Sequence, residues 1–187
     1  MFNQFKKTAL VAAAGLAFVA TPAFAANGNP ATETGTAKVR ILQPLSIDNI
    51  NGTLDFGVLV KGTTVAPASY YNFTVDTAGA FGGCDAAWAC SATKTAANFT
   101  VSGAPDESVQ VTIDPSVDLD GVTGATNDFL DVDLELSGDD NLDAVEETSL
   151  VLTGGDATFS VGGTLRVRGD VLTGTYSETF TVSAEYL

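Results

Sequence analysis

From residue 37 to the C-terminus, apolar and polar residues alternate in runs with a period of two, the period that sends successive side chains to opposite faces of a strand. Ala37, Val39 and Ile41 alternate with Lys38 and Arg40; Leu54, Phe56, Val58 and Val60 follow on one parity, then Tyr71, Phe73 and Val75. Phe99 and Val101 lead into the turn Gly103-Ala104-Pro105-Asp106, beyond which Val109, Val111 and Ile113 resume the pattern. Leu130, Val132, Leu134 and Leu136 alternate with Asp131, Asp133 and Glu135. Phe159 with Val161, and Leu165 with Val167, mark two further runs, and a last strand carries Tyr176, Phe180, Val182, Ala184 and Tyr186 on one parity. Asn51-Gly52, Lys61-Gly62, Gly82-Gly83, Gly154-Gly155, Gly162-Gly163 and Thr173-Gly174 separate these runs as turns. Short strands with one apolar and one polar face predict an all-β chain, an antiparallel β-sandwich. Helix is confined to one or two turns within residues 141–148, capped near Asp139 or Asp140.

The first residues follow a different pattern. Lys6 and Lys7 precede an apolar run over residues 8–20 and the small-x-small triplet Ala23-Phe24-Ala25, which reads as a cleaved secretory signal over residues 1–25. That run is shorter than the roughly 20 residues a spanning helix needs, so no membrane-spanning segment is expected. Residues 26–35, rich in Asn, Gly, Pro and Thr, read as a flexible arm, and residues 36–187 as a single domain. The expected location is therefore outside the cytoplasm: periplasm, cell surface or medium.

Composition narrows function by exclusion. The chain has no histidine, 23 acidic and 8 basic residues, and a formal charge of −15. Without imidazole there is no Ser-His-Asp or Cys-His catalysis and no histidine zinc or haem site. The charge opposes binding to phosphate backbones, so no nucleic-acid partner is expected. No pair of carboxylates is marked out for glycoside hydrolysis, so no catalytic residue, enzymatic activity or cofactor is expected. In an exported chain the two cysteines, Cys84 and Cys90, are expected to form a disulfide that pins a loop.

Six segments, taken in order, carry a resemblance: Gln43-Pro44-Leu45-Ser46-Ile47, Leu54-Asp55-Phe56-Gly57, Phe99-Thr100-Val101-Ser102-Gly103, Val161-Gly162-Gly163-Thr164-Leu165, Gly174-Thr175-Tyr176, and Thr179-Phe180-Thr181-Val182. Together they resemble the secreted bacterial family called domain of unknown function four-four-zero-two. Through the Leu-Asp-Phe-Gly element and the terminal alternating strand with its penultimate tyrosine, the chain is also similar to spore coat U-type proteins and chaperone-usher pilins. That resemblance implies an immunoglobulin-like sandwich that self-associates into fibres, an N-terminal segment of one subunit completing the sheet of the next. It implies residues 36–43, with Ala37, Val39 and Ile41, as donor strand. It also implies Phe180, Val182, Ala184 and Tyr186 as the strand held by a periplasmic chaperone before an usher. Alternatively, residues 37–41 are the domain's own first strand and the domain is complete without a partner.

Other features have competing readings. An acidic tract runs from Asp114 to Glu147 without a Lys or Arg. It reads either as a solvated face or, at Asp139, Asp140, Asn141 and Asp143, as a calcium site that departs from the EF-hand pattern at Ala144 and Leu150. Lys38 with Arg40, and Arg166 with Arg168, put cations at i, i+2 spacing, while Asp131, Asp133 and Glu135 put anions at the same spacing. Such stripes either pair across neighbouring strands or orient subunits. Trp88, the only tryptophan, serves either as a sugar-stacking contact on the disulfide loop or as a plug over the end of the sandwich. Two classes thus stand: a structural or adhesive surface protein, with fibre formation as its sharpest form, and a self-contained secreted module that binds calcium or carbohydrate.

Overall fold

The structure is a computed structural model that describes residues 33–121, 130–139 and 145–187. The expected signal segment and most of the arm lie outside the described residues. The chain divides into two compact units, Met1–Val39 and Arg40–Leu187. In the first, residues 33–39 are exposed and form neither strand nor helix.

The second unit is all-β. Its described strands are β1 (Ser46–Asn51), β2 (Leu59–Lys61), β3 (Tyr70–Val75), β4 (Phe81–Gly82), β5 (Trp88–Cys90), β6 (Ala97–Ser102), β7 (Ser108–Ile113), β8 (Ser116–Asp118), β9 (Leu130–Leu136), β10 (Glu146–Val151), β11 (Asp156–Arg168) and β12 (Val182–Tyr186). Every pairing is antiparallel. The larger sheet runs β1-β6-β11-β3-β4, with β9 pairing β11 and β8 pairing β9; the smaller runs β10-β7-β12, and β2 with β5 forms a two-stranded ribbon.

One buried core joins the sheets. Val109, Val111 and Ile113 of β7 share it with Phe73 and Val75 of β3, Phe99 and Val101 of β6, and Leu130, Val132, Leu134 and Leu136 of β9. Each of these strands alternates buried and half-exposed or exposed positions. Burying one parity is what selects the register, because a one-residue slip would turn every apolar side chain to water.

The long strand β11 departs from expectation. Gly162-Gly163 reads as a turn in the sequence, yet both glycines lie inside one 13-residue strand. Residues Asp156–Val161 pair with β6, and residues Gly163–Arg168 pair with β3. The glycines therefore mark the point where β11 changes partner. A Cβ on Gly162 would lie 2.6 Å from the Val75 carbonyl oxygen, and one on Gly163 2.7 Å from that of Asp133. Close backbone approach, not chain reversal, is what requires glycine here.

Three further expectations are corrected. Residues 146–148, expected in a helical turn, belong to β10, where Glu146 and Thr148 face inward opposite Ile113 and Val111. The final strand starts at Val182, and Tyr176 lies before it in a turn region where Ser177 bridges Asp120. Residues 37–41 form no strand, and Val39 and Ile41 are 86% and 88% exposed.

Candidate functional site

The C-terminal strand β12 borders the smaller sheet. It pairs with β7 from Val182 opposite Ile113 to Tyr186 opposite Val109, and among the described residues its other edge has no strand beside it. Ser183 and Glu185 point to solvent, while Val182, Ala184 and Tyr186 pack against the core yet remain half-exposed. Upstream, Phe180 meets Phe99 edge to face, with ring centres 6.1 Å apart. Among the described residues strand β1 is likewise bonded only to β6, and Leu45 and Ile47 beside and within it are also half-buried. Leu45 and the Tyr186 hydroxyl both crowd the bare Cα of Gly103, so β1 begins where β12 ends. An apolar interior that stays half open along a strand edge is suited to receiving another strand, whose backbone would take the free hydrogen-bonding groups.

Tyr186 has a role that periodicity does not reveal. Its hydroxyl accepts the Ala104 N–H at 2.6 Å and donates to the Gln43 carbonyl at 2.7 Å. It thus ties the end of β12 to the β6–β7 turn and to the segment before β1. Three residues earlier, Arg40 forms an ion pair with Glu107, the residue preceding β7.

The disulfide loop closes as expected: Cys84 and Cys90 are bonded, with Cα atoms 6.3 Å apart. Trp88 between them is buried, edge to face with Tyr71 at 5.5 Å and Phe73 at 5.3 Å. It is the plug of the two readings, with too little exposed ring to stack on a sugar.

The charged stripes meet within one molecule. Asp131 of β9 lies opposite Arg166 of β11, with Oδ2 and Nη1 3.4 Å apart, and the guanidinium also covers Tyr70 at 4.1 Å. Arg168 instead pairs with Asp170 at 3.3 Å. Within the acidic tract Glu146 is buried and accepts the Leu136 N–H at 3.3 Å, so it is not part of a solvated face. Of the calcium candidates, Asp140, Asn141 and Asp143 lie outside the described residues; Asp139 accepts the Glu147 N–H at 3.0 Å. No helix among the described residues is long and apolar enough to cross a membrane.

The family model described as Domain of unknown function (DUF4402) matches residues 45–186. The chain belongs to this family. The match runs from the residue before β1 to the penultimate tyrosine, so it spans the sandwich from β1 to β12. No curated protein matches the chain.

Proposed function

We propose that this DUF4402 protein is an exported, non-enzymatic structural or adhesive component of the cell surface, a pilin-like subunit with an immunoglobulin-like sandwich that assembles by strand complementation. The observation that carries this reading is the edge of β12, which has no strand beside it among the described residues and where the side chains of Val182, Ala184 and Tyr186 remain half-exposed. Residues 37–41 supply what such an edge takes: an alternating segment that has no partner strand among the described residues and whose Val39 and Ile41 are solvent-exposed. Backbone bonds along the edge would provide affinity, and the alternate side chains would fill the half-open interior. A chaperone that holds β12 during export, and an usher, fit the same edge.

The test is a self-complemented variant, with a second copy of residues 36–43 joined after Leu187 through a flexible linker. The unmodified protein should give ladders that boiling dissociates. The variant should be monomeric and melt at a higher temperature, and Val39→Asp with Ile41→Asp in the added copy should remove that gain. A monodisperse unmodified chain whose melting temperature the added copy leaves unchanged would refute the reading. A melting temperature that rises with calcium instead would favour the self-contained module.

A further inference from the structure

β1 ends at the exposed Asn51, and Gly52 follows it out of the sheet. Asn49 lies opposite Phe99 and Asn51 opposite Asn98, so Ile50 between them is an extra residue and β1 bulges at this point. In a regular strand residues 49 and 52 would stand about 10 Å apart, with their side chains on opposite faces. Here the Asn49 side-chain oxygen accepts the Gly52 N–H, and a Cβ on Gly52 would collide with the Asn49 amide. The Asn49 side chain thus lies directly against the peptide group that joins Asn51 to Gly52.

We propose that Asn51 is a site of spontaneous deamidation and that the Asn49 side chain sets its rate. The reaction needs only the chain and water. The Gly52 nitrogen gives up its proton and attacks Asn51 Cγ; the N–Cγ bond forms, the Cγ–Nδ2 bond breaks, and the amide nitrogen leaves with that proton as ammonia. Water then opens the resulting succinimide, at Cγ to give aspartate or at the main-chain carbonyl to give isoaspartate. Glycine at position 52 leaves the attacking nitrogen unshielded by a side chain. Ring closure must turn the backbone at Asn51 out of its paired conformation, which breaks both the Asn49–Gly52 bond and the pairing with Asn98. Asn49 is therefore a guard: while it holds the N–H, the nitrogen is kept from Cγ. Either product places a carboxylate at the end of β1, and isoaspartate also lengthens the backbone by one carbon before the Asp55–Thr95 bridge.

The test incubates the full chain at mildly alkaline pH, which speeds loss of the Gly52 proton, and follows Asn51 by peptide-mapping mass spectrometry with an enzymatic assay for isoaspartate. A peptide of residues 47–56 gives the unguarded rate. Asn51 in the full chain should convert severalfold more slowly than in the peptide. Asn49→Ala should remove most of that protection, a change on the scale of one lost hydrogen bond, and should speed hydrogen exchange at the Gly52 amide. Asn49→Asp, which keeps an acceptor oxygen, should retain the protection. Asn49 is exposed, so both variants should fold, which circular dichroism checks. An intact Asn51 in both the full chain and Asn49→Ala after the peptide has converted would overturn the site. Equal rates in those two chains, or Asn49→Asp converting as fast as Asn49→Ala, would overturn the guard.

Discussion

At the scale of single residues, Arg166 shows how one cation holds a crowded face. Asp118 lies opposite Asp131 on the β8–β9 ladder, and Asp131 lies opposite Arg166 on the β9–β11 ladder. Like charges directly opposite destabilise a sheet, so the guanidinium offsets a repulsion as well as making a pair. Arg166→Ala should lower unfolding stability by about 1 kcal/mol, combining a cross-strand pair and a cation–π contact. Urea denaturation checks this, and because the pair is half-exposed the loss should shrink at high salt. Gly162→Ala should cost more, about 1–3 kcal/mol, since its methyl group meets backbone that has no rotamer through which to yield.

At the scale of elements, the Cys84–Cys90 loop and its tryptophan act together but unequally. The loop is short, so removing the disulfide by Cys84→Ser with Cys90→Ser should cost about 2 kcal/mol. Trp88→Ala should cost about 3–5 kcal/mol, because it empties the space against Tyr71 and Phe73. Thermal or urea unfolding ranks the two, and the reverse order would mean that the loop, not the ring, holds β5 in place. Elements also differ in how legible they are in the sequence. Strands β3, β6, β7 and β9 are readable because each buries one parity against the opposite sheet. β1 is hidden because Ser46–Asn51 is a polar edge strand with only Ile47 turned inward, and an edge needs no second apolar neighbour. Residues 37–41 mislead for the complementary reason: alternation records a face ready for burial, and says nothing about whether the same chain buries it. The inward turn of Glu146 has no signal either, since a buried and a solvated carboxylate look alike in sequence.

At the scale of the whole molecule, charge is distributed in a way that favours the segment as ligand of the sandwich. Residues 36–43 carry Lys38 and Arg40 and no acid, whereas the rest of a chain with formal charge −15 is strongly acidic. A basic strand approaching an acidic body is drawn in by the overall field, which acts chiefly on the rate of encounter and is screened over about 10 Å at 0.1 M salt. Under the strand-complementation reading, a peptide of residues 36–43 with blocked ends should bind the full chain more weakly as salt rises, mainly through slower association. Replacing Lys38 and Arg40 with Gln in the peptide should weaken binding at low salt and flatten the salt dependence, while Val39→Asp should abolish binding at every salt concentration. Surface plasmon resonance across a salt series separates these outcomes. Binding that is indifferent to both salt and the two cations would leave the apolar face of the segment as its only means of recognition, and the acidic surface would then serve the protein in some way other than capturing a strand.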